Sequence, residues 1–203
     1  MTVERGRAWG RTAPLPADGV IVSTDRDAAA VVADARARGA ALPTIGLLGG
    51  DLCRTLGGAG DEARLRGPAA ITLPIDIAEV DVDGRAHVFL AHVVARRSWW
   101  KGRVWAAMNA EWLGLWDVAP RAHPGDGLLD TFDVSMTIRD RIKARRRLAT
   151  GTHVPHPAIA QQRAGRVDVG FDSPLGIWID GLRVGDATSL AVRATGEVVD
   201  VVV

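Results

Sequence analysis

GVIVSTDRDAAAVVADARARGAALPTIGLLGGDLCRTLGG, residues 19–58, is the stretch that decides the architecture. Its opening run, Gly19-Val20-Ile21-Val22, suits a short buried strand. Ser23 and Thr24 follow, and either can cap a helix running from Asp25 to Arg38. Ala28, Val31, Val32 and Ala35 form the apolar stripe of that helix, and Gly39 ends it. Leu42 to Leu48 is a second apolar run, broken by Pro43 and Gly46. Gly49-Gly50-Asp51 then opens a short helix, Asp51 to Leu56, closed by Gly57-Gly58. Strand, helix, strand, glycine turn and helix make half of an α/β unit with parallel strands.

Upstream, residues 1–18 carry Gly6, Gly10, Pro14 and Pro16 and read as an irregular lead-in. Downstream of about residue 70 the pattern changes. Ile71–Ile77, Ala78–Val82, Arg85–Ala95 and Arg103–Trp112 are β-like runs, and Asp83-Gly84 is a hairpin signal between two of them. Arg166–Val169, Gly176–Asp180 and Ser189–Ala194 continue the β pattern, with Asp180-Gly181 and Thr195-Gly196 as turns. One helix, Ser135 to Leu148, interrupts them. The expected fold class is α/β plus all-β: an α/β remnant followed by an antiparallel β-sandwich or open barrel.

The 203 residues are 47% hydrophobic and 24% charged, which suits one large domain or two small ones. Lys plus Arg, 25, nearly cancel Asp plus Glu, 24, so bulk charge selects no partner. A single cysteine, Cys53, excludes an intrachain disulfide and fits a reducing compartment. Met1 to Arg11 lacks the apolar segment of a secretory signal, and no apolar run approaches the ~20 residues that cross a bilayer. A cytoplasmic protein, soluble or peripheral at a membrane, is expected.

Position matters more than total charge. Arg96-Arg97-Ser98-Trp99-Trp100-Lys101-Gly102-Arg103 sets two tryptophans among four cations, a composition suited to the headgroup layer of an anionic membrane or to a lipid cleft. Trp105 and Trp116 read as core residues. Arg139, Arg141, Lys143, Arg145, Arg146 and Arg147 surround an apolar stripe of Ile138, Ile142 and Leu148. That is a solvated basic face or a contact for anionic lipid or phosphate; nucleic acid is not expected, since no stacking aromatics interleave it. His87 and His92, an odd number apart, point to opposite faces if they share one strand, and no zinc site is expected. Cys53 reads as buried and inert. No G-x-S-x-G or other nucleophile motif is present.

Several segments together resemble the diacylglycerol kinase-like lipid kinase family. Gly46-Leu47-Leu48-Gly49-Gly50-Asp51-Leu52-Cys53-Arg54-Thr55-Leu56-Gly57 is similar to that family's G-T-G-N-D-F-A-R-x-L-G. Asp76, in Pro74-Ile75-Asp76-Ile77, resembles the acidic residue that starts its second domain, and Asn109 falls where members carry Asn-Gly. Ala119 to Asp130 resembles A-P-x-A-x-x-x-D-G-L-L-D. Gly151 to Pro157 resembles the segment after its crossing helix, and Ile179-Asp180-Gly181 its V-D-G-E turn.

This resemblance implies a truncated nucleotide-binding α/β domain over 1–75, completed by a C-terminal strand at 197–203, and a β-sandwich over 76–196. It implies ATP-dependent phosphorylation of a lipid hydroxyl, with Mg2+. Phosphoryl transfer of that kind needs phosphate-binding amides, a metal and a base. Ser23, Thr24, Asp25 and Arg26 align with a glycine-rich phosphate loop of which only Asp25 survives. Gly49, Gly50 and Asp51 complete the implied nucleotide site, and Ser23–Asp27 also reads as a plain helix cap. Asp51 and Asp76 are implied metal ligands, Asp51 reading equally as a cap. Asp126, Leu128 (by its carbonyl) and Asp130 match a structural metal loop whose first acid falls at Gly125. The family's base falls at Leu182, leaving Asp25 and Asp180 as the catalytic candidates. Most of the first βα unit is also absent. The alternative to an active kinase is therefore an inactive lipid-binding pseudokinase or regulatory subunit, with a homo-oligomer or partner chain able to complete the site.

Overall fold

A computed structural model describes residues 9–203; the lead-in reading of residues 1–8 lies outside the described residues. The strands are β1 Arg11–Thr12, β2 Val20–Val22, β3 Ile45–Leu47, β4 Ile71–Val82, β5 Arg85–Phe89, β6 His92–Arg96 and β7 Val104–Met108. They continue as β8 Trp112–Leu113, β9 Trp116–Asp117, β10 Leu129–Val134, β11 Ile159–Ala164, β12 Arg166–Ile179 and β13 Leu182–Val202. Four helices accompany them among the described residues: α1 Asp25–Ala37, α2 Asp51–Thr55, α3 Glu62–Leu65 and α4 Ile138–Leu148. The result is a mostly antiparallel, sandwich-like β-structure with few helices.

Its backbone is the order β1-β4-β13-β12-β6-β7-β10-β11 within one large sheet. Strand alternation assigns each face of the central strands to a different core. Val93 and Ala95 of β6, with Trp105 and Ala107 of β7, point into a core shared with Phe89, Leu129, Ile177 and Val192. Val94, Val104, Ala106 and Met108 point the other way, into a second core with Phe132. Both faces are covered, so β6 and β7 read as continuous apolar runs.

A third core joins the helical end to the sheet. β2 pairs in parallel with β3, and Val201 and Val202 of β13 pair in parallel with Ile45 and Gly46. Ala28, Val32 and Leu52 pack there against Ile45, Leu47, Ile75 and Val201. α1 starts where Thr24 caps it and ends at Arg38, with Gly39 left-handed at φ 62°. Asp83-Gly84 and Asp180-Gly181 both have two successive positive φ values, the signature of the tight hairpin turn.

Several local expectations change: α4 starts at Ile138 in place of Ser135, and Arg166–Ile179 is one strand in place of two runs. Ile71–Val82 is one strand, since β13 pairs with it on both sides of a single bulge, Val202–Val198 with Thr72–Asp76 and Ala194–Leu190 with Ala78–Val82. Arg85–Ala95 is two strands, interrupted at Leu90-Ala91, so His87 and His92 do not share a strand. Arg103–Trp112 likewise divides into β7 and β8. Thr195-Gly196 is a bulge within β13, where the register against β4 shifts between Ala194 and Val198.

Candidate functional site

Asp25 and Asp51 each open a helix at the end of a parallel strand, and their side chains meet. Thr24 Oγ1 accepts the N–H of Asp27 at 3.1 Å and so caps α1 itself. The carboxylate of Asp25 is thereby free to cross to α2, where it accepts the N–H groups of Asp51 at 2.6 Å and Leu52 at 3.1 Å. Gly50 sits at φ 96°, and a side chain there would run into the Asp25 carboxylate; both facts require glycine. Asp51 accepts the N–H of Gly114 at 2.8 Å through Oδ1 and bonds to Nε2 of His92 at 2.8 Å through Oδ2.

His92 reaches this point because of Asp180. The Asp180 carboxylate is buried and accepts three consecutive amides, Leu90 at 2.9 Å, Ala91 at 3.0 Å and His92 at 2.9 Å. Asp180 in turn donates its own N–H to the His92 carbonyl at 2.9 Å. The sequence reading did not place His92 here. It assumed one strand from Arg85 to Ala95, and no glycine or proline marks the interruption at Leu90-Ala91.

The electrostatics follow from three acids around one imidazole. Burial, then the charge of Asp180, pushes the Asp25 carboxyl up to about 6, against the pull of the two α2 amides. Burial also raises Asp180, opposed by the charge of His92 and the three amides. For His92, burial favours the neutral ring, but the bond to Asp51 and the charges of Asp180, Asp51 and Asp25 outweigh it and raise the pKa. The cluster thus favours a positive charge at its centre.

Asp25, Asp51 and His92 each offer a ligand atom, all within 4.8 Å of one another. Two carboxylates and an imidazole fit a divalent cation. That mixed set suits manganese or zinc as well as magnesium, which prefers oxygen alone.

The other expected nucleotide-site residues take local structural positions. Ser23 and Thr24 lead into α1, and the exposed Arg26 pairs with Asp27 at 3.5 Å. Gly49 lies against the backbone carbonyl of Ser23, with no room for a side chain. Asp76 is not brought to Asp51; its Oδ2 accepts the N–H of Gly127 at 2.6 Å, and its Oδ1 is buried without a partner.

The expected metal loop lies beside an arginine. Arg163, opposite Asp130 across the β10–β11 pair, places its guanidinium against Asp126 and lies 3.6 Å from Asp130 Oδ2. Asp126 Oδ1 already accepts the N–H of Leu128, and a side chain at Gly125 would strike the Trp9 ring. A guanidinium thus stands among Asp126, Leu128 and Asp130, while Asp130 Oδ2 is buried without a hydrogen-bond partner.

The Asp25–Asp51–His92 cluster lines an open cleft of about 470 Å³, together with Asp180 and the Leu113–Trp116 turn. Beside it lies an apolar cavity of about 120 Å³, walled by Trp100, Ala106, Phe132, Met136, Leu148 and Ile159. Trp99, Leu113, Trp116 and Arg145 line both. Trp105 is core, as expected, whereas Trp116 stands edge-on to Trp99 with ring centres 5.2 Å apart and lines the cavity. Of the expected membrane residues, three are engaged internally. Arg96 lies between the Trp99 and Trp178 rings, Arg97 donates to Ser173 and Pro174, and Arg103 is held by Asp133 and Gly170. Trp100 and Lys101 are exposed, and Trp99 is partly buried.

Residues 74–203 match the model of a family described as the YegS C-terminal NAD kinase beta sandwich-like domain. No curated protein matches the sequence. Among solved structures, a provisionally designated diacylglycerol kinase from Bacillus anthracis strain Sterne is 15% identical with a TM-score of 0.63, over 91% of this chain and 77% of that one. A second chain from that strain, designated a diacylglycerol kinase, is 16% identical with a TM-score of 0.51, over 78% and 66%. A third, again provisionally designated, is 14% identical with a TM-score of 0.55, over 78% and 69%. At these identities the likeness is one of fold.

Three outcomes are expected. Asp180→Ala leaves three amides without an acceptor and costs at least about 3 kcal/mol in urea denaturation. Arg163→Met lowers the Tm of the chain and millimolar Mg2+ or Ca2+ then restores part of the loss; an Arg163→Met chain that keeps the wild-type Tm contradicts the internal-cation reading. His153, in the cavity wall, has its pKa lowered by burial. Its contribution is complete above the ordinary histidine value and falls as the pH drops through it, so His153→Phe flattens the Tm profile on that acid side.

Proposed function

Because the chain belongs to the family of the YegS C-terminal NAD kinase beta sandwich-like domain, we propose that it binds a lipid on a diacylglycerol kinase-like scaffold without transferring phosphate to it. The acyl chain enters the apolar cavity, and a hydroxyl-bearing head group lies in the cleft at Asp25, Asp51 and His92. The observation that carries this reading is the wall the two spaces share, formed by Trp99, Leu113, Trp116 and Arg145. An apolar chain and a polar head of one molecule need just such adjacent compartments.

Loss of phosphoryl transfer is supported by three features. Ser23–Asp27 is a helix cap and first turn, where a phosphate cradle needs close-approaching glycines. The α2 amides that a phosphate oxygen would use are taken by the Asp25 carboxylate. The position resembling the family's base is Leu182, which is exposed, and the nearby Asp180 is saturated by backbone amides. The residues do not fit an ATP cradle.

A second reading, a residual kinase, draws on the Asp25–Asp51–His92 cluster. A divalent cation held there would polarise and neutralise phosphate oxygens. In the absence of transfer, the part-exposed carboxylate of Asp51, held by His92, serves as the hydrogen-bonding partner for a lipid hydroxyl.

The test is binding of dioctanoylglycerol, read by tryptophan fluorescence and native mass spectrometry, beside an assay for phosphorylated lipid with ATP and Mg2+ or Mn2+. One lipid per chain and no phosphorylated product are expected. Ala106→Trp, which fills the cavity, weakens binding at least tenfold. ATP-dependent product that disappears in Asp25→Asn establishes the kinase instead.

A further inference from the structure

We infer that α4 and the Trp99–Arg103 loop form a docking face for an anionic lipid bilayer, an inference that rests on the lipid-binding reading above and gives it a source of ligand. α4 turns Arg141, Ala144 and Leu148 inward, and Ala144 and Leu148 line the apolar cavity. Its outward stripe is not a polar one. Ile138 is 54% exposed and Ile142, one turn later on the same stripe, is 49% exposed. Trp100, 45% exposed, joins them from the loop, with the Arg145 guanidinium 5.3 Å from its ring centre.

Arg139, Lys143, Arg145, Arg146 and Arg147 stand around these apolar groups, and all five are exposed, as is Lys101 on the loop. Asp140 is the one acid on the helix, and it is occupied by the Thr137 cap and by Lys143 at 3.9 Å. Helix and loop act as one body. The buried Arg141 donates to the carbonyls of Met136 at 3.1 Å and Trp99 at 3.1 Å, and also to that of Gly102.

Charge complementarity selects the partner. Cations interspersed with exposed isoleucine and tryptophan meet both requirements of an anionic bilayer, phosphate at the surface and hydrocarbon just below it. An acidic protein or a nucleic acid satisfies the cations and leaves the isoleucines without a place. The cavity lies beneath the same helix, lined by Ala144, Arg145 and Leu148, and Trp100 belongs to both docking face and cavity wall.

The experiment measures sedimentation of the full chain with vesicles of phosphatidylcholine, alone or doped with phosphatidylglycerol, at low and high salt. Binding is expected to be at least tenfold tighter to the anionic vesicles and to weaken with salt. Each cation near such a surface is worth about a fivefold change in affinity. Arg139→Glu/Lys143→Glu/Arg146→Glu therefore abolishes the anionic preference, and Ile138→Glu/Ile142→Glu weakens binding at least tenfold. Both variants change exposed side chains and keep the wild-type Tm and binding of monomeric dioctanoylglycerol. Equal partitioning to neutral vesicles, unaltered binding by either variant, or polyglutamate competing as well as anionic lipid would overturn the docking face. Loss of dioctanoylglycerol binding in the wild type with vesicle binding intact strikes the cavity reading alone, so the two failures are distinguishable.

Discussion

One buried carboxylate organises the site: that of Asp180, which gathers the amides of Leu90, Ala91 and His92. Without an acceptor, three consecutive buried amides cannot be left between two strands. With it, the chain leaves β5, which pairs with β4, and enters β6, which pairs with β12 and β7. The same carboxylate anchors the turn between β12 and β13, whose residue 180 is left-handed at φ 45°. His92 is carried to Asp51 as a consequence. Asp25 performs the equivalent service at the other wall, by taking the first amides of α2. Two backbone-binding acids therefore set the spacing of the cleft, and their burial, with the charge of Asp180 acting on Asp25, makes its interior favour a cation or a proton.

The apolar cavity depends on a different device. Arg141 reaches back from α4 to three carbonyls and pins the helix over β6, β7 and β10, whose outer faces carry Val94, Ala106 and Phe132. A guanidinium has five donors in a fixed plane, which suits bracing loop carbonyls that no strand partner reaches. The helix is thus held by hydrogen bonds at its N-terminal end and covers the cavity with Ala144 and Leu148. The small side chain of Ala144 leaves space under the helix, where a larger one would close it.

Much of this was legible in the sequence wherever a local rule decides. Thr24, Gly39, Asp83-Gly84 and Asp180-Gly181 marked ends and turns through capping and left-handed geometry, and α1 falls within one residue of its expected range. The sandwich-like character was legible from the β-runs after residue 70. What escaped was non-local. The break at Leu90-Ala91 has no local signature, because its cause is a carboxylate ninety residues away. Arg163 is an ordinary strand residue by pattern, yet β10–β11 register sets it opposite Asp130, with its guanidinium 3.6 Å from that carboxylate. Arg96, Arg97 and Arg103 looked like a free basic cluster, and pairing with Trp99, Trp178, Ser173 and Asp133 consumes them.

The contrast between positions 180 and 182 separates two reasons for an acid to stand in a motif. Asp180 supports three backbone hydrogen bonds, so removing it costs folding free energy whatever chemistry the cleft performs. Leu182 is exposed on the far side of the turn and touches no amide network, so an acid there would have a chemical use and no structural one. Asp25 behaves like Asp180, since its carboxylate holds α2 in place. The acids that persist are thus the ones the fold needs, while the position whose only use is chemistry carries a leucine. That asymmetry fits the proposed reading, in which the cleft keeps its shape for a ligand and moves no proton.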